Sequence, residues 1–258
     1  MSGTAIKEVI PGQPIKPFEV CSLTEDHMAR MRKMNIWNRA CPVPIERLKC
    51  VKFAHYDFSG SLQSNGAVVV MDVLAPHLLN IFKSLYDLKF PIAKARPIDD
   101  YDGDDRRSME DNNTSAFNQR EIDGQSGVVS MHSYGLAVDI NPIQNPFVVV
   151  DEDSATATIY PTAGKSYLNR THARVGMVEP IVDLCAKHGL KEWGGHWDSP
   201  LDWHHFQTSR DVARRLAEMD ASKAHACFED YLQSTPAHHR KEKIPAGIDA
   251  YVLPEAGL

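Results

Sequence analysis

The chain has 258 residues, 43% hydrophobic and 24% charged, which suits one large soluble globular domain or one domain with an elaborated arm. A net charge of −6 argues against a general binder of phosphate backbones, so no nucleic-acid partner is expected. No window approaches about 18 uninterrupted apolar residues, so no transmembrane segment is expected, and the opening MSGTAIKEVIPGQPIKP lacks the apolar region of a secretory signal peptide.

In chain order, residues 1–45 read as an N-terminal arm rich in Pro and polar residues. Its one helical stretch is LTEDHMARMRKMN (23–35), with Thr24 as cap and Glu25 and Asp26 in the first turn. LKCVKFAHYDF (48–58) and GAVVVMDV (66–73) read as strands. APHLLNIFKSLYDL (75–88) switches to helical period, with Leu78, Ile81, Phe82 and Leu85 on one face and Pro76 in the first turn. Residues 97–127 are polar and turn-rich, either disordered or a functional excursion. GLAVDINP (135–142) and PFVVV (146–150) are strand-like, and the segment after them is irregular to about 170. Helices are expected over roughly 173–188 and over 209–219. The domain spans 46–233, and a Pro-rich tail, which includes the basic run HHRKEK, fills 234–258. The elements mix without a βαβ rhythm or a phosphate-binding glycine loop, which gives an α+β class.

The five cysteines, Cys21, Cys41, Cys50, Cys185 and Cys227, form no C-x-x-C and no zinc-ribbon spacing. A Cys41–Cys50 or Cys185–Cys227 bridge is open to the protein in an oxidising compartment, but sequence alone pairs none of them.

Chemistry concentrates in SMHSYGLAVDINP (130–142) and EWGGHWDSPLDWHHF (192–206), where His and acidic residues sit among Gly and aromatics. A catalytic zinc takes three protein ligands and leaves its fourth position to water. His132, Asp139 and one histidine of the 204–205 pair would complete such a set, with Asp202 the nearest carboxylate to accept a proton. Any one of these residues, taken singly, is more often structural. Asp139 is less easily dismissed, because it interrupts the apolar pattern of LAVDI and needs a partner there, a metal ion or an Arg. His172, His188 and His196 lack this context. The sequence contains no H-E-x-x-H and no G-x-S-x-G. Spacing does not separate His204 from His205: a turn brings Asp202 to His205, whereas an extended run puts it with His204.

The pattern S-x-H-x-x-G-x-A-x-D (Ser130, His132, Gly135, Ala137, Asp139) followed by D-x-x-H-F (Asp202, His205, Phe206) resembles the zinc D-alanyl-D-alanine carboxypeptidase (VanY-type) and L-alanyl-D-glutamate endopeptidase family. That family shares its fold with the D,D-dipeptidases of vancomycin resistance and the zinc domain of hedgehog proteins. The resemblance spans roughly 45–208 and takes in NNTSAFNQR, INPIQNPFV and WGGHW. It implies a small antiparallel sheet flanked by helices, with a zinc site in a cleft. It also implies Zn2+ held by His132, Asp139 and His205, with Asp202 as general base and Arg120 stabilising the oxyanion. Ser130, Trp197 and His204 would line the substrate cleft, and Trp193 and Trp203 would help wall it. One branch of the family carries Cys where this chain has Gln119, which removes a possible disulfide partner.

The expected substrate is a peptidoglycan stem peptide, cut by a carboxypeptidase or an endopeptidase. That would place the activity at the cell wall, periplasmic or extracellular if the protein is exported, as a wall-remodelling enzyme, a lysis enzyme or an antibacterial effector. The alternative from another class is a non-catalytic zinc-stabilised domain that binds peptide or wall. Oligomeric state is not legible in the sequence.

Overall fold

The computed structural model describes residues 18–122, 125–151 and 156–234, so all but the first residue of the expected tail lies outside the described residues. Strand β1 (Phe18–Ser22) leads into helix α1 (Glu25–Lys33), where the Thr24 hydroxyl accepts from His27 N at 3.2 Å. Strands β2 (Leu48–Tyr56) and β3 (Leu62–Met71) follow, and the three strands form an antiparallel sheet in the order β1-β2-β3. Residues 18–22 of the arm are therefore an edge strand of this sheet.

Helix α2 (Ala75–Asp87) lies on the sheet, and its apolar stripe Leu78, Ile81, Phe82 and Leu85 is buried. The Phe82 ring stacks on Phe53 of β2 with centroids 3.6 Å apart. Each such side chain contributes about 1.5–3 kcal/mol when fully buried, so this stripe, more than helix propensity, fixes α2 in place. The α1–α2 half of the molecule is thus close to the sequence expectation.

Residues 97–127 are largely ordered. A 3-10 turn (Ile98–Tyr101) is followed by helix α3 (Asp105–Glu110), with the Asp104 carboxylate accepting from Arg107 N at 3.1 Å. Strands β4 (Lys94–Ala95) and β5 (Asn113–Thr114) pair in parallel, and β6 (Glu121–Ile122) pairs antiparallel with β7 (Gln125–Val129). Few apolar anchors are needed here because side chains satisfy the backbone. The Asn113 carboxamide, for example, accepts from Arg96 N at 2.8 Å and donates to Arg96 O at 3.0 Å.

Two further sheets carry the motifs. Strand β8 (Ala137–Asp139) joins a sheet of order β11-β13-β8, built with β11 (Glu192–Trp193) and β13 (His205–Gln207). Strand β9 (Phe147–Asp151) joins a sheet of order β10-β9-β12, with β10 (Thr156–Tyr160) and β12 (Leu201–Asp202). The strand expected over 135–142 is cut to three residues because Gly135 and Asn141 both adopt left-handed backbone, at φ 64° and 48°.

The chain crosses between these two sheets four times, and two of the crossings, residues 140–146 and 203–204, lie side by side. These two are stitched together: Ile140 N donates to His204 O at 3.0 Å, and Trp203 N to Pro146 O at 3.4 Å.

The helix expected over 173–188 is reduced to a 3-10 turn (Glu179–Ile181) and helix α4 (Val182–Lys187). Gly176 has φ +83° with the Phe58 ring against it, and Pro180 has no N–H to give, so helix cannot run back through 173–178. Helix α5 (Arg210–Glu218) matches its expectation, and α6 (Ala221–Gln233) is an addition, capped by Asp220 accepting from Lys223 N at 3.0 Å. No described helix is long and apolar enough to cross a membrane.

The bidentate pair between Arg47 and Asp72 ties the two halves together. Arg47 Nη2 reaches Asp72 Oδ1 at 2.8 Å and Nε reaches Oδ2 at 3.0 Å, while Nη1 donates to Leu216 O and Met219 O at the end of α5.

Candidate metal centre

His132 sits in a 3-10 turn (Met131–Tyr134) directly before β8. The Ser130 hydroxyl caps this turn, accepting from His132 N at 3.3 Å, and Ser130 itself is buried. Gly135 ends the turn. A Cβ there would stand 2.6 Å from Met71 N, and the φ of +64° is one that L side chains rarely adopt. The motif's Ser and Gly therefore aim the His132 ring.

Asp139 closes β8 and lies directly opposite His205, the first residue of β13. His132 Nε2 is 3.2 Å from Asp139 Oδ2, His205 Nδ1 is 2.9 Å from Asp139 Oδ1, and the two ring nitrogens are 3.2 Å apart. All three residues are buried, and the three donor atoms converge closely enough to hold a metal ion.

The far side of each ring decides what it presents to this point. His132 Nδ1 donates to Ala116 O, which leaves the Nε2 lone pair facing inward. His205 Nε2 donates to Gln207 Oε1 at 2.8 Å, and Gln207 Nε2 is itself turned to Glu192 Oε2, so the Nδ1 lone pair of His205 also faces inward. Two imidazole lone pairs and a carboxylate thus meet with no donor among them. Such a set repels itself unless a cation sits between its members, and nitrogen with carboxylate oxygen suits zinc. The residues fit the group.

Protons compete with a cation for these lone pairs. Burial raises the Asp139 carboxyl, but the His132 and His204 charges and hydrogen bonds from His132 and His205 hold it well below the usual carboxylate range. Burial lowers His204, but Asp202 and Asp139 outweigh it and push the ring up to about 10. His205 is likewise raised by Asp139 against the effect of burial.

Asp202 ends β12, and residues 203–204 turn the chain into β13. The close partner of Asp202 is His204: Nε2 stands 2.9 Å from Asp202 Oδ1 and 3.8 Å from Asp139 Oδ2. The 2.9 Å contact is an ion pair without hydrogen-bond alignment, so the buried Asp202 Oδ1 has no aligned donor. The stretch does turn, yet the residue two positions on makes the contact, because the ladder with Asp139 has already claimed His205.

His204 Nδ1 donates to Asn145 O at 2.8 Å. The Asn145 side chain spans Ile140 O, Asn141 O and Gly176 O, and accepts from Arg170 Nη2 at 2.9 Å. Arg170 in turn holds Glu179 and Gln144 O, with its guanidinium 5.0 Å from the Trp203 ring. Asn145, Arg170, Gln207 and Glu192 were not singled out from sequence. Only Gln207 carried a readable signal, since it shares a strand face with His205 two residues earlier.

Trp197 lies beside the site, its ring 5.4 Å from that of His205. Trp193 and Trp203 are buried, with Trp193 Nε1 donating to Trp203 O at 2.8 Å, so these two brace the second motif from within the core. His196 is exposed and stacks edge-on against Trp193. The Arg120 backbone is tied to the His132 turn, with N donating to the Ser133 hydroxyl at 3.0 Å and O accepting from Ser130 N at 3.0 Å. Its guanidinium pairs with Asp105 at 2.9 Å. Gln119, where one branch of the resembled family has Cys, instead accepts from Asn38 N at 2.8 Å.

The residues that build this centre fall inside one stretch of family likeness. Residues 123–208 match the family model described as D-alanyl-D-alanine carboxypeptidase. The match contains both motifs: His132 and Asp139 lie in its first half, and Asp202, His204 and His205 in its second. No curated protein and no solved structure matches the chain significantly. The match supports a peptidase, and the His132, Asp139 and His205 cluster could bind its metal.

Proposed function

We propose that the protein is a zinc-dependent peptidase that hydrolyses an amide bond in peptidoglycan stem peptides, working on the wall side of the cytoplasmic membrane. The observation that carries the proposal is the convergence of His132 Nε2, His205 Nδ1 and the Asp139 carboxylate beside the Asp202–His204 pair, inside the matched segment. His132, Asp139 and His205 would hold the zinc. When bound, the ion supplies a Lewis acid that lowers the pKa of water from about 15.7 toward 7 and polarises a carbonyl.

The protein's own groups then do the rest. Asp202, with Oδ1 lacking an aligned donor, takes a proton from the attacking water and passes it to the leaving amine. His204 holds that carboxylate from one side, anchored by Asn145 O. Arg120 would stabilise the developing oxyanion, a role worth on the order of 3 kcal/mol for one good donor, once its guanidinium exchanges Asp105 for substrate.

The test is incubation of zinc-loaded protein with purified peptidoglycan and mass spectrometry of what is released, the product masses naming the bond. Asp202→Ala is expected to keep its zinc and lose cleavage, and His205→Ala to lose both. Full activity in Asp202→Ala would overturn the mechanism. Absence of release from every wall type would point instead to a zinc-stabilised binding domain.

A further inference from the structure

Cys21 and Cys50 are direct partners in the β1–β2 ladder, so their side chains leave the same face of the sheet. Directly opposed residues of antiparallel strands have Cα atoms about 4.5–5.5 Å apart, within the roughly 4.4–6.8 Å that disulfides span. Their Cβ atoms lie about 4.5–5.5 Å apart, against about 3.5–4.5 Å in a disulfide, so closure asks for a movement of about 1 Å. β1 can supply it, being an edge strand bonded on one side only. The Cys21 sulfur already lies over the partner strand, 3.7 Å from Cys50 O.

The remaining thiols lie elsewhere: Cys41 Sγ donates to Ser133 O at 3.4 Å, Cys185 is the buried residue of α4, and Cys227 lies 3.5 Å from Arg215. The strand register thus sets Cys50 opposite Cys21, a pairing besides the Cys41–Cys50 and Cys185–Cys227 bridges left open by the sequence.

We propose that Cys21 and Cys50 are a redox modification site, closing into a cross-strand disulfide when the protein meets a small-molecule disulfide oxidant. Half-buried Cys21 reacts first, its thiolate attacking one sulfur of the oxidant. The oxidant's S–S bond breaks, Cys21–S–S–X forms, and one X thiolate leaves. The Cys50 thiolate then attacks the Cys21 sulfur and expels the second X thiolate. Two electrons pass to the oxidant, and the two protein thiol protons end on its thiols or in solvent. Burial and the neighbouring Cys21 thiol push Cys50 up to about 12, so the second step is slow at neutral pH and quickens as pH rises. The product closes a loop of about 30 residues that includes α1 and fixes β1 to the sheet. This site is separate from the metal centre and does not depend on the hydrolytic reading.

The experiment oxidises the full chain with glutathione disulfide at pH 8.5, alkylates the remaining thiols, and maps proteolytic fragments without reduction by mass spectrometry. The expected result is one fragment joining the peptides of Cys21 and Cys50, with Cys41, Cys185 and Cys227 alkylated. Oxidation should raise the Tm of the wild type by several degrees and leave that of Cys21→Ser unmoved. Three results would each overturn the proposal: both cysteines alkylated after oxidation, either one linked to a different cysteine, or Cys21 retained as a glutathione adduct beside an alkylated Cys50. The fragment map is read on the wild type, so it stands even if a variant folds poorly.

Discussion

Asp139 and His205 face each other across the β8–β13 ladder, with carboxylate oxygen and ring nitrogen 2.9 Å apart. Their meeting is a matter of register. The adjacent pairs, Phe206 with Val138 and Gln207 with Ala137, include the fully buried Phe206, Val138 and Ala137. A slip of one residue would turn these outward and bring an apolar residue to the site, so the core enforces the geometry of the polar centre.

Gln207 orients His205 and is itself oriented by Glu192. Gln207→Leu removes the acceptor at Nε2 and frees the ring to present either nitrogen. Zinc affinity is expected to fall about 10- to 100-fold, read by competition with a chromophoric chelator. Wild-type affinity in that variant would show that Gln207 does not set the ring.

Gly194 passes so close to the second motif that a Cβ there would stand 2.4 Å from Asp202 O and 2.8 Å from Asp202 Cβ. Gly194→Ala should displace the carboxylate while leaving the three ligand residues in place. The expected outcome is roughly a 10²-fold loss of peptidoglycan cleavage, the cost of a misplacement of about 1 Å, at unchanged zinc content.

The Arg47–Asp72 pair is a stability element. Arg47→Met strands a buried carboxylate and removes the donors to the end of α5, so a loss of about 3–5 kcal/mol is expected by urea unfolding. Arg47→Met with Asp72→Leu should recover part of it, because no lone charge then remains buried.

His55 gives a pH dependence. It is buried in β2, and burial, outweighing nearby backbone groups and Asp57, lowers its pKa. The unfolded chain therefore binds the proton first, near the ordinary His pKa of about 6.5. The stability from keeping His55 neutral is present above that pH and is lost as pH falls from there through the folded value. Tm measured from pH 7.5 to 5 should drop more steeply in the wild type than in His55→Gln. Equal slopes would show that His55 contributes nothing.

Local pattern made α2 and α5 legible, since each buries a stripe at helical spacing, and it made β2 and β3 legible through their β-branched runs. It misjudged 173–188, where Gly176 and Pro180 overrule helical spacing. It also passed over α6, although Asp220 and the buried Ala224 and Phe228 supplied a cap and an i, i+4 pair. Residues 97–127 were opaque because they are held by side-chain-to-backbone bonds, which leave no hydrophobic period to read. At the site, the ligand set came from resemblance. Local spacing left His204 and His205 undivided because what divides them, the cross-strand pairing with Asp139, lies 66 residues away in sequence.

The two motif sheets hold different parts of the machinery. Asp202 hangs from the sheet of β10, β9 and β12, whereas Asp139 and His205 belong to that of β11, β13 and β8. The gap between the proposed base and the proposed ligands is therefore set by the placement of one sheet relative to the other. Substitutions of buried Val148, Ile159 or Leu201 in one sheet, or of Phe206 in the other, would shift that gap as a shim shifts a hinge. Catalytic rate could then be tuned, in evolution or by design, with every polar residue of the centre left unchanged.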